Sequence, residues 1–292
     1  MQVLDYIKST RPWTVAFSSL IYLLGVLESA YMHLGVDVLL VSLGLLGEAF
    51  VHTAVNMLND YYDYKLGVDS PSSIVGRLHP VVSGLVTPCR LRRDFIAVAA
   101  AGASLGVVVT ALGRPLAIAF GALGMFMGYG YSYPRVGLKY RAMGDVAYSS
   151  SMLALSEAGF YLASGRLSLA GLLAGLPLVV ATEGVLHANN WRDVARDSAH
   201  GFTTLARVLG RRGSAAFYYA LIAGSIASVA ALAMTGVYPA LSLVAVLSAP
   251  AAVALALRSQ RWIDSLDLRT AIYSYLLGAL IAGGLMASLL MR

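Results

Sequence analysis

Charged residues are scarce in this chain. They make up 12% of its 292 residues, whereas hydrophobic residues make up 58% and the mean hydropathy is +0.72. Soluble domains carry about 25% charged residues, so this shortage excludes an ordinary water-soluble globule. Cysteine is nearly absent as well. With Cys89 alone, the chain can form no intrachain disulfide and no cysteine-based metal site.

Several common signals are also missing. Residues 1–13 lack the basic segment and cleavage site of a secretory signal peptide, so we expect no removable leader. No glycine-rich nucleotide loop, zinc motif or Ser–His–Asp order is visible. The net charge of +6 would suit a nucleic-acid-binding protein, but the basic residues follow the pattern of a membrane protein. We therefore expect no nucleic-acid partner.

Long apolar runs recur along the whole chain, and each is long enough to cross a bilayer core of about 30 Å. The sequence predicts an all-α polytopic membrane protein with nine transmembrane helices around a central cavity. The predicted spans are 13–32, 38–58, 94–112, 115–133, 144–163, 168–188, 214–235, 238–258 and 271–290. We expect residues 1–292 to form a single domain.

The basic residues predict the orientation of these spans. With nine spans, only Arg114, Arg166 and Arg292 of the 21 basic residues lie on the side opposite the N-terminus. Because cytoplasmic loops are enriched in Lys and Arg, we expect the N-terminus to be cytoplasmic and the C-terminus to lie outside the cell membrane. The long connections 59–93 and 189–213 are then cytoplasmic too.

Each long connection begins with an acidic motif. In the first, Asn56, Asn59 and Asp63 fall on one stripe of a helix, and their counterparts 134 residues later are Asn190, Asp193 and Asp197. The fixed offset indicates a weak repeat of two halves, an arrangement known in membrane proteins. Outside the acidic motifs the repeat is faint.

Asp69 lies off the first stripe, beyond Gly67. We expect the helix to end near Gly67 and so to let Asp69 fold back towards the other acidic residues.

Two matching acidic motifs on one predicted face are hard to explain as solvated helix caps alone, since ionisable residues near a membrane are costly. Mg²⁺ is commonly held by one or two carboxylates together with substrate phosphates. The pattern therefore predicts an active site at the cytoplasmic mouth, where Mg²⁺ binds a phosphorylated lipid. The basic residues Arg77 and Lys139 lie on the same predicted side and would suit its phosphates.

Other polar residues leave alternatives open. Arg11 is either an interfacial anchor or a substrate-binding residue. The pairs Glu48/His52 and Glu183/His187, each four residues apart in a predicted span, are either proton relays or buried hydrogen-bonded pairs. Tyrosines near the acidic motifs belong to an interfacial belt, and a few of them would stabilise a carbocation through their ring faces.

The two acidic motifs together resemble the signature motifs of the UbiA superfamily of intramembrane prenyltransferases. The first runs from Asn56 to Asp69, and the second from Asn189 to Asp197 is followed by Gly201 to Leu205. Arg11-Pro12 also matches the usual opening of the family. Tyr131 to Pro134 and Leu138 to Tyr140 match its loop after the fourth span.

This resemblance implies Mg²⁺-dependent transfer of a prenyl chain from a polyprenyl diphosphate to an acceptor, often aromatic, in a cavity open to lipid. It implies metal binding by Asn59, Asp63, Asp69, Asp193 and Asp197. Catalytic roles would fall to Asp63, Asp193, Lys139 and Arg77, the latter two as diphosphate partners. The substrate-binding candidates are Arg11, Asn56, Asn59, Asp60, Tyr131, Tyr133, Asn190 and Arg192.

The form of the motifs is more similar to the dihydroxynaphthoate branch, which serves menaquinone-type quinone biosynthesis, than to the hydroxybenzoate branch. Asp63 and Asp69 are six residues apart, and the segment Leu138 to Asp145 also fits the first branch. Thr203 departs from the pattern, because a lysine is expected there.

Two alternatives remain for the function. In one, the acceptor is a glycerol-phosphate lipid precursor. In the other, the protein is a transporter of an anionic or lipid substrate. A phosphatidyl transferase of the CDP-alcohol type is disfavoured, because its Asp-Gly-x-x-Ala-Arg opening is absent.

Overall fold

Helices account for nearly all the regular structure in residues 2–71 and 78–291, the part of the chain that our computed structural model describes. In this part no β-strand forms, and the one extended pairing is an isolated parallel bridge between Arg141 and Thr203. The all-α prediction is confirmed. The α-helices are α1 (Gln2–Ser9), α2 (Pro12–Tyr31), α3 (Val38–Lys65), α4 (Pro88–Ala111), α5 (Ala117–Ser132), α6 (Gly144–Ser164), α7 (Leu169–Ala174), α8 (Leu176–Arg192), α9 (Val194–Ala199), α10 (Leu205–Met234), α11 (Ala249–Arg258) and α12 (Leu266–Leu290).

Three short 3₁₀ helices complete the described structure. They are Leu138–Tyr140, Ala240–Ser248 and Ile263–Ser265. The second runs directly into α11, and the third into α12. In α10 the helix is kinked at Gly210, where φ is 64°. The span predicted at 214–235 therefore lies in the longer segment of α10 that follows the kink.

Six helical segments in the described part of the chain are long and apolar enough to cross a membrane. They are Pro12–Tyr31, Val38–Lys65, Pro88–Ala111, Leu205–Met234, Ala240–Arg258 and Ile263–Leu290. Each contains most of one predicted span. The length and composition of these helices indicate that the chain is a multi-pass membrane protein.

The other three predicted spans are helical but fall short of these criteria. For 115–133 the helix is α5, which has only 16 residues. The range 144–163 coincides with α6, in which Asp145, Ser156 and Glu157 are buried. The range 168–188 is divided between α7 and α8 at Gly175. Nine spans therefore remain a prediction.

The described chain divides into two compact units. The first comprises Met1–Ser19 and Ser42–Leu138, and the second Leu20–Val41 and Lys139–Arg292. The first acidic motif belongs to the first unit and the second motif to the second unit. Neither this division nor the helices test whether the chain is a single domain with a faint repeat.

A small apolar cluster stabilises the first unit next to its acidic motif. Met57 and Tyr61 from the end of α3 pack with Val86 and Leu91, which lie before and within the start of α4. Thr87 caps α4 by accepting a hydrogen bond from Arg90 N, and Pro88 occupies the first helical turn. The cluster fixes the turn that precedes α4 against the acidic end of α3.

The second unit has a larger core, formed mainly by α8, α10 and α12. Hydroxyl groups within it are paired: the Tyr218 and Thr270 hydroxyl oxygens are 2.7 Å apart, and those of Ser225 and Tyr273 are 2.6 Å apart. Helices α2 and α6 approach closely at Gly159, where a Cβ atom would lie 2.1 Å from the Tyr22 carbonyl oxygen. Only glycine fits at that contact.

Candidate functional site

The end of α3 brings Asp69 back to Asp63, as the sequence predicts. The helix ends at Lys65, and Gly67 adopts a φ of 72°. Gly67 N donates to the Tyr64 carbonyl (3.1 Å) and Val68 N to the Asp63 carbonyl (2.9 Å), which together form a Schellman motif. The next amide, Asp69 N, also donates to the Asp63 carbonyl (3.2 Å). Asp63 and Asp69 are both buried, each with 7% of its surface exposed.

Asp60 forms an ion pair with Arg11 within the first unit. Asp60 is fully buried, and its Oδ1 accepts a hydrogen bond from Arg11 Nη2. Arg11 lies between α1 and α2 with a φ of 60°, a conformation that non-glycine residues adopt at a cost. Two predicted substrate-binding residues are thus brought together. In this structure the guanidinium of Arg11 compensates one carboxylate of the motif.

Asn56 and Asn59 contact different neighbours. Asn56 Nδ2 donates to the Thr10 carbonyl (3.1 Å) and to Thr14 Oγ1 (2.8 Å), so both amide hydrogens hold the junction between α1 and α2. Asn59 Oδ1 accepts a hydrogen bond from Ser132 Oγ (3.1 Å) at the end of α5. Asn56 therefore braces the start of the chain, whereas Asn59 connects the motif to α5.

Aromatic rings of the first unit gather beside the motif. The Tyr62 ring centroid lies 5.6 Å from that of Tyr133, and Tyr133 stacks on Tyr129 at 4.7 Å. Tyr61 packs edge-on against Tyr62 at 5.2 Å. Tyr131 is half-buried. The rings of Tyr61, Tyr62, Tyr129 and Tyr133 thus form one group beside the motif, and the role of tyrosines in stabilising a carbocation stays a prediction.

One residue of the site was not predicted from the sequence. His79 is fully buried, and its Nε2 lies 3.4 Å from Asp69 Oδ2. One possible ligand atom from each of Asp60, Asp69 and His79 lies within 4.8 Å of the others. His79 follows Asp69 by ten positions in an irregular segment, so no helical or strand periodicity links the two. Its position between the first motif and α4 is the only sequence signal.

Arg77 was predicted to bind the diphosphate. It lies outside the described residues.

The second motif lies where α8 ends. Asp193 lies between α8, which ends at Arg192, and α9, which begins at Val194, so the single helical stripe predicted for Asn190, Asp193 and Asp197 is interrupted. The interruption is slight, because Asp193 N still donates to the Asn189 carbonyl (3.1 Å) and Asp197 N to the Asp193 carbonyl (2.9 Å). Asn190 is half-buried.

Arginines surround the carboxylates of the second motif. Arg192 donates to both oxygens of Asp193 (3.0 Å each), and Arg196 Nη2 adds a third hydrogen bond (2.7 Å). Arg192 Nη1 also donates to Asp267 Oδ2 (2.6 Å). The hydrogen bonds that Arg192 donates, first those to Asp193 and then that to Asp267, hold the pKa of Arg192 above its ordinary value. Asp197 Oδ1 lies 3.7 Å from Arg196 Nε.

Lys139 lies beside a pair of stacked rings in the second unit, those of Tyr140 and Phe202, which we call the platform. Its Nζ is 4.9 Å from the Tyr140 ring centroid, and that ring stacks on Phe202 at 4.2 Å. Two backbone hydrogen bonds join the segments: Thr203 N to the Tyr140 carbonyl (3.0 Å) and Ala142 N to the Thr203 carbonyl (2.6 Å). Thr203, where a lysine was expected, thus contributes through its backbone.

The platform is connected to the second motif, because Phe202 N donates to the Asp197 carbonyl (2.9 Å). The structure therefore brings Lys139 next to the segment that follows Asp197, although 58 positions separate the two residues in the sequence. No motif in the sequence predicts this pairing.

We expect Phe202→Ala to weaken the platform under Lys139. An aromatic pair contributes about 0.5–1.5 kcal/mol beyond its buried area, which corresponds to about a two- to tenfold effect. Initial rates at varied prenyl diphosphate concentration should show kcat/KM lowered by about that factor, because Lys139 is predicted both to bind the diphosphate and to act in catalysis. Phe202→Tyr, which keeps the stack, is the matched control. An unchanged kcat/KM in Phe202→Ala would contradict a role for the platform.

The pairs Glu48/His52 and Glu183/His187 differ in whether their two members contact each other. Glu48 and His52 stay together, with 3.7 Å between Oε1 and Nδ1, and serine hydroxyls contact both. Glu183 instead accepts a hydrogen bond from Ser149 Oγ (2.7 Å), whereas His187 Nε2 donates to the Ser214 carbonyl (3.1 Å). Glu183 and His187 therefore do not pair directly in the described structure, and both lie beside Asp145: Asp145 Oδ1 is 3.8 Å from His187 Nδ1, and the Asp145 side chain is hydrogen-bonded to Glu183.

Taken together, the helices and motifs define a polytopic all-α membrane protein whose two acidic motifs each lie at the end of a helix. The UbiA prenyltransferase family model matches residues 18–281. The chain belongs to the UbiA prenyltransferase family, and it is a prenyltransferase.

Individual relatives agree with this assignment. The chain is 27% identical over 245 residues to 1,4-dihydroxy-2-naphthoate octaprenyltransferase of Bacillus subtilis (strain 168), covering 82% of this chain and 77% of that protein. A UbiA homologue from Archaeoglobus fulgidus bound to DMAPP and Mg²⁺ has a similar fold, with a TM-score of 0.63 at 17% identity over 95% of this chain and 99% of the other.

A second solved structure, a digeranylgeranylglyceryl phosphate synthase, has a TM-score of 0.65 at 13% identity. That comparison covers 100% of this chain and 99% of the other. At these identities the solved structures establish the fold alone. The family assignment favours an enzyme over a transporter.

Proposed function

We propose that this enzyme transfers a polyprenyl group from a polyprenyl diphosphate to a dihydroxynaphthoate-like aromatic acceptor, with Mg²⁺ as cofactor and pyrophosphate as the second product. The observation that carries the donor half is the buried acidic end of α3, where Asp63 and Asp69 are held together by the Schellman turn. The similarity to the Bacillus subtilis enzyme supports the aromatic acceptor.

The donor set fits Mg²⁺, which prefers oxygen ligands and is often held by carboxylates together with phosphates. One carboxylate oxygen of Asp69 lies within 4.8 Å of a carboxylate oxygen of Asp60, in a buried cluster. In the first motif Asn59, Asp63 and Asp69 would hold the metal, and in the second motif Asp193 and Asp197 would do so. The bound metal supplies positive charge to the diphosphate oxygens.

The basic side chains of the protein have a role that is separate from that of the metal. Arg77 and Lys139 are proposed to bind the diphosphate and to stabilise the charge that develops on it as the prenyl C1–oxygen bond breaks. Arg192 and Arg196 already neutralise Asp193 in the second motif. Asn56, Asn190, Arg192, Arg11 and Asp60 are proposed as further substrate-binding residues.

The aromatic rings are proposed to stabilise the allylic cation. Tyr133, whose ring stacks on Tyr129 and lies 5.6 Å from that of Tyr62, and the half-buried Tyr131 are the rings proposed for this role, and walls of apolar helices would exclude water. A ring carbon of the acceptor then attacks prenyl C1, forms the new C–C bond and loses a proton. We propose Asp60 or Tyr131 as the group that guides this last step.

We propose that the enzyme spans the cell membrane nine times, with the N-terminus and the acidic motifs on the cytoplasmic side and the C-terminus outside. The support is the distribution of Lys and Arg, of which only Arg114, Arg166 and Arg292 fall on the opposite side in this arrangement.

A glycerol-phosphate lipid precursor is the second candidate acceptor. The similarity in fold to digeranylgeranylglyceryl phosphate synthase favours it. The motif spacing and the Bacillus subtilis relative favour the aromatic acceptor.

A direct test is incubation of the purified protein with geranylgeranyl diphosphate, Mg²⁺ and one acceptor at a time, with the products identified by mass spectrometry. The acceptors are dihydroxynaphthoate, hydroxybenzoate and a glycerol-phosphate lipid precursor. We expect a prenylated dihydroxynaphthoate. A product with the glycerol-phosphate lipid alone would support the second candidate and contradict the first, and a product with hydroxybenzoate alone would reject the predicted branch.

A further inference from the structure

His79 lies in a turn, residues 79–86, that several hydrogen bonds hold in place. His79 N donates to Ser83 Oγ (3.2 Å), and the His79 carbonyl accepts from Ser83 N (3.0 Å). Val86 N donates to the Pro80 carbonyl (3.1 Å), and Val86 packs in the apolar cluster at the end of α3. The turn therefore holds the buried imidazole in a defined position against the acidic motif.

The turn also determines which nitrogen of His79 carries a proton. Val81 N and Val82 N both donate to His79 Nδ1, each at 3.1 Å. A nitrogen that accepts hydrogen bonds from two amides has no proton of its own. The ring is therefore the neutral tautomer with its proton on Nε2, the atom that faces Asp69.

The Nε2 atom faces Asp69 in the cluster that also contains Asp60. It lies 3.4 Å from Asp69 Oδ2 and makes no full hydrogen bond among the described residues. At this distance the interaction is an attraction between the N–H dipole and the carboxylate. A neutral histidine that ligates a metal through Nε2 carries its proton on Nδ1. The backbone amides of Val81 and Val82 oppose that tautomer.

Arg11 and His79 therefore act differently on the carboxylates of the acidic cluster. Arg11 places a full positive charge against Asp60. His79 offers Asp69 a neutral N–H, which orients the carboxylate and leaves its negative charge available to a cation. Partners of this kind commonly change metal affinity by about 10- to 100-fold in metal sites.

We propose that His79 is a positioning residue that orients Asp69 for divalent-metal binding without ligating the metal itself. The proposal rests on the proposed function, in which Asp69 holds Mg²⁺. It adds a residue from the turn before α4 to the acidic motif, and it assigns that residue a tautomer.

Two substitutions of His79 distinguish the role of Nδ1, which contacts the turn, from that of Nε2, which faces Asp69. His79→Asn keeps a side-chain acceptor near Val81 N and Val82 N, as in an Asx turn, but its side chain is too short to reach Asp69. His79→Gln places an amide N–H near Asp69 and moves the acceptor away from the turn. His33→Gln, at an exposed histidine, is the control for the loss of an imidazole.

Mn²⁺ binding to the purified full-length protein, measured by electron paramagnetic resonance, provides a readout independent of turnover. We expect His79→Asn to raise the Mn²⁺ dissociation constant by about tenfold with little change in Tm. We expect His79→Gln to lower Tm and to keep the dissociation constant within about threefold of the unsubstituted protein. The Mg²⁺ concentration for half-maximal activity should shift in the same order.

Three results would overturn the proposal. One is a folded His79→Asn variant that binds Mn²⁺ as tightly as the unsubstituted protein. Another is equal loss of affinity in His79→Asn and His79→Gln with a greater loss for Mn²⁺ than for Mg²⁺, which would indicate direct ligation by the ring. The third is a proton on Nδ1, read from ¹⁵N chemical shifts of histidine-labelled protein with His79→Gln used to assign the signal.

Failure of the proposed function gives a different pattern. In that case the unsubstituted protein neither binds Mn²⁺ nor forms a prenylated product, and the role of His79 falls with it. If the unsubstituted protein binds Mn²⁺ and transfers the prenyl group while His79→Asn matches it in both, the role of His79 alone is rejected.

Discussion

Asp63→Asn is expected to lower kcat of prenyl transfer by about 10³-fold while the protein still folds. Loss of one group that stabilises developing charge commonly costs about 10²–10³-fold, and Asp63 is proposed to serve both the metal and the reaction. The substitution keeps the size of the side chain. It also leaves the Asp63 carbonyl in place to accept from Val68 N and Asp69 N, so the turn after α3 should persist.

The measurement is the rate of prenylated product formation over a range of Mg²⁺ concentrations, together with the Tm of each variant. Asp94→Asn is the matched control in the same unit. Asp94 accepts a hydrogen bond from Tyr6 (2.7 Å) and lies outside the motif, and asparagine keeps an acceptor there. Near-normal turnover in Asp63→Asn, or an equal loss in Asp94→Asn, would contradict the role of Asp63.

Asp193→Asn is expected to produce a loss of similar size, about 10³-fold in kcat/KM. The carboxylate accepts three hydrogen bonds from Arg192 and Arg196, so its negative charge balances two cations of the second motif. Without that charge, the motif loses a proposed metal ligand and its arginines lose their shared partner. Both guanidinium groups are partly exposed, 26% for Arg192 and 36% for Arg196, so loss of this charge is expected to lower Tm by a small amount.

Asp267→Asn separates the two effects. Asp267 is also an ion-pair partner of Arg192 (2.6 Å), but it lies 74 positions beyond Asp193 and outside the motif. We expect it to lower Tm in the same way and to leave kcat/KM within about threefold, since exposed or half-buried ion pairs contribute about 1 kcal/mol or less. If both variants lose turnover equally, Asp193 acts only by holding Arg192.

Much of the fold follows from composition and local signals. The apolar runs locate helices in all nine predicted ranges, because a stretch of about 20 apolar residues has few other stable conformations in lipid. The end of α3 is also predictable, since Gly67 is the residue that a left-handed C-cap requires. Apolar runs do not reveal the break at Gly175 or the effect of the polar residues in α6, so the number of spans stays a prediction.

The candidate site is predictable in its acidic residues and less so in their partners. Asp63 and Asp69 are connected by a local turn. By contrast, the pairing of Asp60 with Arg11 spans 49 positions, and the contact of Tyr140 with Phe202 spans 62. Tertiary packing alone creates such contacts. His79 was missed for the same reason, because its relation to Asp69 depends on a turn whose hydrogen bonds leave no periodic pattern.

The central claim is that this enzyme breaks a prenyl diphosphate with the help of Mg²⁺ and passes the prenyl group to an acceptor. The most direct measurement follows pyrophosphate and prenylated product in the same reaction, with Mg²⁺ present or removed by chelation. We predict equal amounts of the two products with Mg²⁺ and neither after chelation. Transfer that continues without divalent metal, or an unsubstituted protein that forms no prenylated product with any acceptor tested, would contradict it.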